Sequence, residues 1–247
     1  MSRLDQALVE RGLCESREKA KRVILAGSVK INEQLARKPS DSVKAADQLT
    51  VVAPEKYVSR GGYKLERALD EFRLDVNGLT AVDLGASTGG FTDCLLQRGA
   101  SKVYAVDVGQ GQLAWKLRCD PRVVVMEKTN AREVTPRTFP QPFSPVNLVV
   151  IDCSFISLRK ILPATIALLK AFGKVSALIK PQFEAGKAEA DKGAGVITDP
   201  AIHARVLDQM EQFVSDLPGL EWRRVTESPL LGPAGNKEFF VLLEKTE

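Results

Sequence analysis

Apolar and polar positions alternate in two different ways along this chain. In the first fifty residues the pattern is short-range and mixed. Leu4, Ala7 and Leu8 recur at helical spacing, and the run stops at Gly12. Ser16 is placed to cap a second helix over residues 17–25. In that stretch Ala20, Val23 and Ile24 form an apolar stripe beside Arg17, Lys19, Lys21 and Arg22. Residues 29–31 alternate as a strand, Asn32-Glu33 reads as a turn, and residues 49–52 read as a returning strand. The prediction is two helices followed by a small sheet, an α+β unit.

Beyond residue 60 the pattern lengthens. Continuous aliphatic runs predict buried strands at 79–84, 102–107, 123–126, 147–152 and 174–180. Amphipathic stretches predict helices at 90–97, 158–172 and 199–214, the second one kinked at Pro163. Residues 222–226 and 238–243 can close the sheet as a hairpin. Buried strands separated by helices imply a parallel sheet with helices on both faces, an α/β fold of the Rossmann-like kind. The expected division is a small domain at 1–53, a linker at 54–60 and a larger domain at 61–247.

Composition narrows the class without changing this picture. The 247 residues are 44% hydrophobic and 27% charged, as in an ordinary globular protein. No apolar run approaches the roughly 20 residues that span a bilayer, and Met1-Ser2-Arg3-Leu4-Asp5 has no apolar signal core. The expectation is a cytoplasmic protein away from membranes. Cys14, Cys94, Cys119 and Cys153 are not at metal-binding spacing, so no metal site is expected. A single histidine, His203, excludes any two-histidine mechanism. It lies in the first turns of a predicted helix and reads as a structural or surface residue. Oligomeric state is not readable here, and a monomer is the default expectation.

Charge is unevenly placed. The first 60 residues hold 12 Lys/Arg against 8 Asp/Glu, whereas the rest is balanced at 23 of each. Such asymmetry points to a nucleic-acid-binding end. The run from Arg3 to Val43 also resembles the small RNA-binding domain shared by a small-subunit ribosomal protein, several pseudouridine synthases and tyrosyl-tRNA synthetases. That resemblance implies an RNA-facing surface carrying Arg3, Arg17, Lys19, Lys21, Arg22 and Lys30. Phosphate contacts from such a surface give affinity and position more than sequence reading.

The second domain carries a nucleotide-type loop. Asp83-Leu84-Gly85-Ala86-Ser87-Thr88-Gly89-Gly90 lies between the first strand and its helix, and Asp107 ends the next strand. Glycines there let backbone approach a ligand, and the acid can take the two hydroxyls of a ribose. Ser87 stands where a dinucleotide loop has its second glycine. Asp83 at the strand end suits a ligand with a cationic amino acid better than one with phosphates. S-adenosylmethionine is therefore favoured over NAD.

Four polar residues lie where chemistry is expected. Asp152 and Lys180 end aliphatic strands at the carboxyl edge, Glu238 begins the last strand, and Lys64 follows Ser59-Arg60-Gly61-Gly62-Tyr63 on a helix. Lys-Asp-Lys-Glu in this order resembles the tetrad of FtsJ-like ribose 2′-O-methyltransferases. SRGGYKL, AVDLGASTGGFTDCLLQRGA, VYAVDVGQGQLAWKLR, DCSFISL, LIKPQFEAG and GNKEFF resemble the TlyA, or haemolysin A-like, family. Cys153 and Gly193-Ala194-Gly195 depart from that pattern, outside the tetrad.

The resemblance implies methylation of cytidine ribose in ribosomal RNA. It implies Lys180 as base or oxyanion holder, Asp152 as its orienting partner, and Lys64 and Glu238 completing the network. It implies a cofactor site built from Asp83, Gly85, Ser87, Gly89, Asp107, Asn130 and Asp152. Two rivals remain. One is a membrane-active haemolysin, for which the chain lacks a long amphipathic or alternating membrane segment. The other is an RNA-binding assembly factor without turnover, against which the intact tetrad argues.

Overall fold

The computed structural model describes residues 1–52, 55–186, 189, 191 and 193–247. The chain divides into two compact units, Met1–Lys56 and Tyr57–Glu247.

In the first unit, α1 (Leu4–Glu10) and α2 (Arg17–Leu25) bury Leu4, Ala7, Leu8, Ala20 and Ile24 together. Ser16 caps α2, its side chain accepting from the Lys19 amide at 3.2 Å. A three-stranded sheet follows, with β2 (Val29–Ile31) between β3 (Gln34–Leu35) and β5 (Leu49–Val51). Asn32 and Glu33 both have positive φ, 48° and 68°. That is the twist a two-residue hairpin needs. The tiny β1 (Ser2–Arg3) and β4 (Ser42–Val43) pair separately, and neither they nor β3 announce themselves by alternation.

The second unit is built on one seven-stranded sheet. Its strands are β6 (Thr80–Leu84), β7 (Lys102–Val106), β8 (Val123–Met126), β9 (Val146–Ile151), β10 (Leu169–Ile179), β11 (Leu220–Glu227) and β12 (Phe239–Lys245). The order is β11-β12-β10-β9-β6-β7-β8. Strands β6 to β10 run parallel to one another, and β12 is antiparallel to both β10 and β11. The order reverses between β6 and β9, and ligands bind at the carboxyl ends of strands flanking such a switch.

Period-2 alternation splits the core. On β6, Val82 and Leu84 join a cluster with Val206, Met210 and Val214 of the long terminal helix Pro200–Ser215. Ala81 joins the opposite cluster, with Leu65, Leu69 and Phe72 of α3 (Gly61–Phe72) and Phe91 and Leu95 of α4 (Gly90–Gln97).

Two expectations are corrected. Residues 158–172 do not form one helix. A 3₁₀ turn (Leu158–Lys160) is followed by a short helix (Leu162–Ile166), and β10 starts at Leu169, where backbone pairing with Val146 overrides the helical pattern. Pro163 sits in the first turn of that helix, a position where its missing N–H costs nothing.

The expected linker also divides. Pro54 lies outside the described residues, while residues 57–60 belong to the second unit. Tyr57 is 2% exposed in its core, and the Val58 amide donates to Asp93.

Candidate active site

Strand ends and one helix bring the chemistry together. Gly85 follows β6 with φ of 86°, and a Cβ there would lie 2.8 Å from the Asp152 carbonyl oxygen. Only glycine lets the loop press against the end of β9 in this way. Beyond it, the Asp107 carboxylate accepts from the Ser87 and Gly109 amides, each at 2.7 Å. Gly85, Ser87, Asp107, Asn130 and Asp152 line a cavity of about 550 Å³ with apolar walls from Val106, Ile156 and Ile161.

A second cavity, about 250 Å³, adjoins it and shares Gly85, Ser87, Asp152 and Ser154. Lys64, Asp152, Lys180 and Glu238 all line it. Lys180 Nζ lies 2.6 Å from Asp152 Oδ1 and donates to Ser154 Oγ at 2.8 Å. Lys64 Nζ lies 2.5 Å from Glu238 Oε2. The lysines are each 7% exposed and Glu238 1%. Ions this sheltered are unfavourable unless paired, so each cation has its carboxylate.

Two expected cofactor residues lie behind the cavities. Asp83 faces α4 on the side of the sheet set by alternation. It accepts from Thr92 Oγ1 at 2.7 Å, and its other oxygen is buried without a partner. Burial pushes its carboxyl up to about 7. Gly89 begins α4 at φ 97° and packs under Leu113 and Leu117. Neither residue lines a cavity. The carboxylates that line the larger cavity are Asp107 and Asp152.

Ser154 was missed because a serine after a strand end has no distinguishing pattern. Burial pushes the Cys153 thiol up to about 12, which disfavours the thiolate. His203 is structural. It is buried, and its Nε2 lies 2.9 Å from the Ile197 carbonyl.

In the first unit the six basic residues have different surroundings. Arg3 and Arg17 both bond the buried Asp5, at 3.0 Å each. The Arg3 bond above all, with Arg17 adding to it, lowers the Asp5 carboxyl to about 2. Lys19 pairs with Glu15, and Lys30 with Glu33. Lys21 and Arg22 are exposed and have no ion-pair partner among the described residues.

The family of FtsJ-like methyltransferases matches residues 57–245, three quarters of the chain. The chain belongs to that family. An S4 domain matches residues 2–49.

The chain is 51% identical over 242 residues to a candidate rRNA methyltransferase of Bacillus subtilis, YqxC, covering 98% of this chain and 85% of that one. It is 47% identical over 244 residues to the 16S/23S rRNA (cytidine-2′-O)-methyltransferase TlyA of Mycobacterium tuberculosis, covering 98% and 89%. These identities place it in the TlyA branch. A solved candidate hemolysin from Streptococcus thermophilus superposes with a TM-score of 0.75 at 44% identity, covering 100% of this chain and 89% of that one. A methyltransferase of Listeria monocytogenes, S-adenosylmethionine dependent, shares the fold at 16% identity, with a TM-score of 0.56 over 76% and 99% of the chains. Among the described residues, no helix is long and apolar enough to cross a membrane.

Proposed function

We propose that this protein transfers a methyl group from S-adenosylmethionine to a ribose 2′-hydroxyl of ribosomal RNA, on cytidine. One observation carries the reading: two buried lysines, each paired with a carboxylate, line a cavity that adjoins a larger, carboxylate-bearing one.

The larger cavity fits the cofactor. Each Asp107 oxygen takes one backbone amide, and a carboxylate has about four acceptor sites, so capacity remains for two ribose hydroxyls. Asp107 and Asp152 suit a cationic ligand. Asn130, whose Oδ1 is anchored by the Arg132 amide at 3.1 Å, would contact the base. Gly85 and Ser87 would give the ligand backbone. Asp83 and Gly89 would support that loop from behind. Bound there, the cofactor supplies an activated methyl on a sulfonium and a neutral leaving group.

The chain's own residues handle the nucleophile. A ribose hydroxyl attacks well only as its proton departs. As the ribose oxygen bonds the methyl carbon and the carbon–sulfur bond breaks, the hydroxyl proton passes to solvent, and Lys180 Nζ, fixed by Asp152 and Ser154, would hold the oxygen while negative charge develops. Asp152 keeps that ammonium aimed at the junction of the two cavities. Lys64 and Glu238 line the same cavity as a second fixed pair and would restrict the hydroxyl to one orientation, which matters as much as charge.

The test is transfer of labelled methyl to separate small and large ribosomal subunits from a strain lacking the protein. Lys180→Ala should lower turnover by about 100- to 1,000-fold, the usual effect of losing one charge-stabilising donor. Cofactor affinity, measured by calorimetry, should change by no more than about threefold, because the variant keeps Asp107 and the glycine loop. Turnover at the unaltered rate in Lys180→Ala would remove that residue from the reaction.

A further inference from the structure

The catalytic cavity has one charge too many. Lys180 is offset by Asp152 and Lys64 by Glu238, but Arg60 also lines this cavity. Arg60 is exposed, and no hydrogen bond or ion pair holds its side chain among the described residues. It stands one turn before Lys64, at the start of α3.

Arg60 also lines a groove of about 450 Å³ beside the cavity. Tyr63, Pro229 and Leu230 give that groove a largely apolar lining, which Glu66, Arg67 and Asp70 complete. The two acidic groups of the lining, Glu66 and Asp70, both bond Arg98. One unpaired guanidinium therefore joins a buried ionic cavity to an apolar slot.

We infer that this groove is a subsite for the nucleotide adjacent to the methylated one. The inference rests on the proposed reaction. Arg60 takes the phosphodiester between the two nucleotides, supplying the negative charge that the cavity lacks. The neighbouring base lies against Tyr63, Pro229 and Leu230. An aromatic ring beside aliphatic surface accepts a base face without reading its edge. A guanidinium matches a phosphate in bidentate geometry, which a lysine cannot reproduce. The chain thus grips two consecutive nucleotides, with the reacting ribose held between Lys64 and Lys180.

The experiment measures methyl transfer to the ribosomal subunit that the intact protein modifies, at several salt concentrations, for the full chain and for Arg60→Ala, Arg60→Lys and Leu230→Asp. A phosphate contact is made equally before and during reaction, so Arg60→Ala should raise KM about tenfold and leave kcat within about twofold. The slope of log affinity against log salt should fall by about 0.7, the value for one single-strand phosphate. Arg60→Lys should recover the salt slope and only part of the KM. Leu230→Asp, which sets a carboxylate against the base and its phosphate, should raise KM with cofactor affinity unchanged.

An unaltered KM and salt slope in Arg60→Ala, with the intact protein active, overturns the subsite and leaves the proposed reaction standing. Absence of transfer by the intact protein to either subunit overturns the reaction, and the subsite with it.

Discussion

Asp83 and Asp5 are both buried carboxyls, and the folded protein treats them in opposite ways. Asp5 has two arginines and is pulled down to about 2. Its contribution to stability is present above the ordinary carboxylate range and is lost as pH falls toward 2. Asp83 has only Thr92, and burial, with the charges of Asp152 and Asp107 adding to it, pushes it up to about 7. An acid raised on folding binds its proton more tightly in the native state. The native state therefore gains stability through this group as pH falls from above 7 toward 4, and carries an uncompensated charge above 7. Keeping Asp83 ionised in the fold, when its carboxyl has risen from an ordinary value near 4 to about 7, costs about 4 kcal/mol. Asp83→Asn, which keeps an acceptor for Thr92, should unfold at higher denaturant than the natural protein at pH 8.5. That advantage should shrink by about half, roughly 2 kcal/mol, at pH 5.5. Equal curves for the two proteins at pH 8.5 would show that Asp83 is not a strained charge. Sequence alone placed Asp83 at a ligand because it ends a strand. Alternation along β6 instead turns it toward α4, and that sidedness follows from packing that a single strand does not reveal.

At the scale of elements, what was legible follows from periodicity. β8 is found at its predicted residues, 123–126, and α2 at 17–25. The four tetrad residues, spread over 174 positions, meet because each ends or begins an element at one edge of the sheet. Short elements were illegible, as with the four-residue helix Trp115–Arg118, because one turn is too brief to show a period. The segment 152–158 was also opaque. Ser157 Oγ donates to Glu184 Oε2 at 2.6 Å, and the Leu158 amide donates to Glu184 Oε1 at 2.7 Å. Glu184 thereby ties the loop bearing Ser154 to the turn that follows Lys180 (Pro181–Glu184). Phe155 in that loop has φ of 63° and is 90% exposed, a conformation that its surroundings must enforce. Glu184→Ala should free the loop and lower kcat about tenfold, with the Lys180 contact to Ser154 lost. Glu184→Gln, which still accepts from the Leu158 amide, should recover most of that. Hydrogen exchange at residues 153–158 distinguishes this from general destabilisation. Faster exchange there, with β9 and β10 unchanged, is the expected result, and uniform acceleration across the sheet would contradict it.

Across the whole molecule, binding and chemistry are assigned to separate units with separate charge. The first unit, residues 1–56, holds 11 Lys/Arg against 8 Asp/Glu, and the second holds 24 against 23. Within the first unit that excess is not all available. Arg3 and Arg17 hold Asp5, and Lys19 and Lys30 face Glu15 and Glu33. Lys21 and Arg22, exposed on α2 without an ion-pair partner among the described residues, are the charges best placed to meet phosphate. If docking is electrostatic, it is driven by released counterions, and each lost phosphate contact on a duplex lowers the salt slope by about 0.9. Lys21→Ala combined with Arg22→Ala should then reduce the slope for the ribosomal substrate by nearly 2, raise KM, and leave kcat and cofactor affinity where they were. Arg3→Ala should do something different, since it strips Asp5 of its strongest partner and weakens the fold of the unit before it weakens RNA binding. Lys180→Ala should show the converse of the double variant, losing kcat with the salt slope intact. A double variant with an unaltered salt slope would mean that the basic face of α2 is a solvated surface, and that RNA is gripped through the catalytic unit.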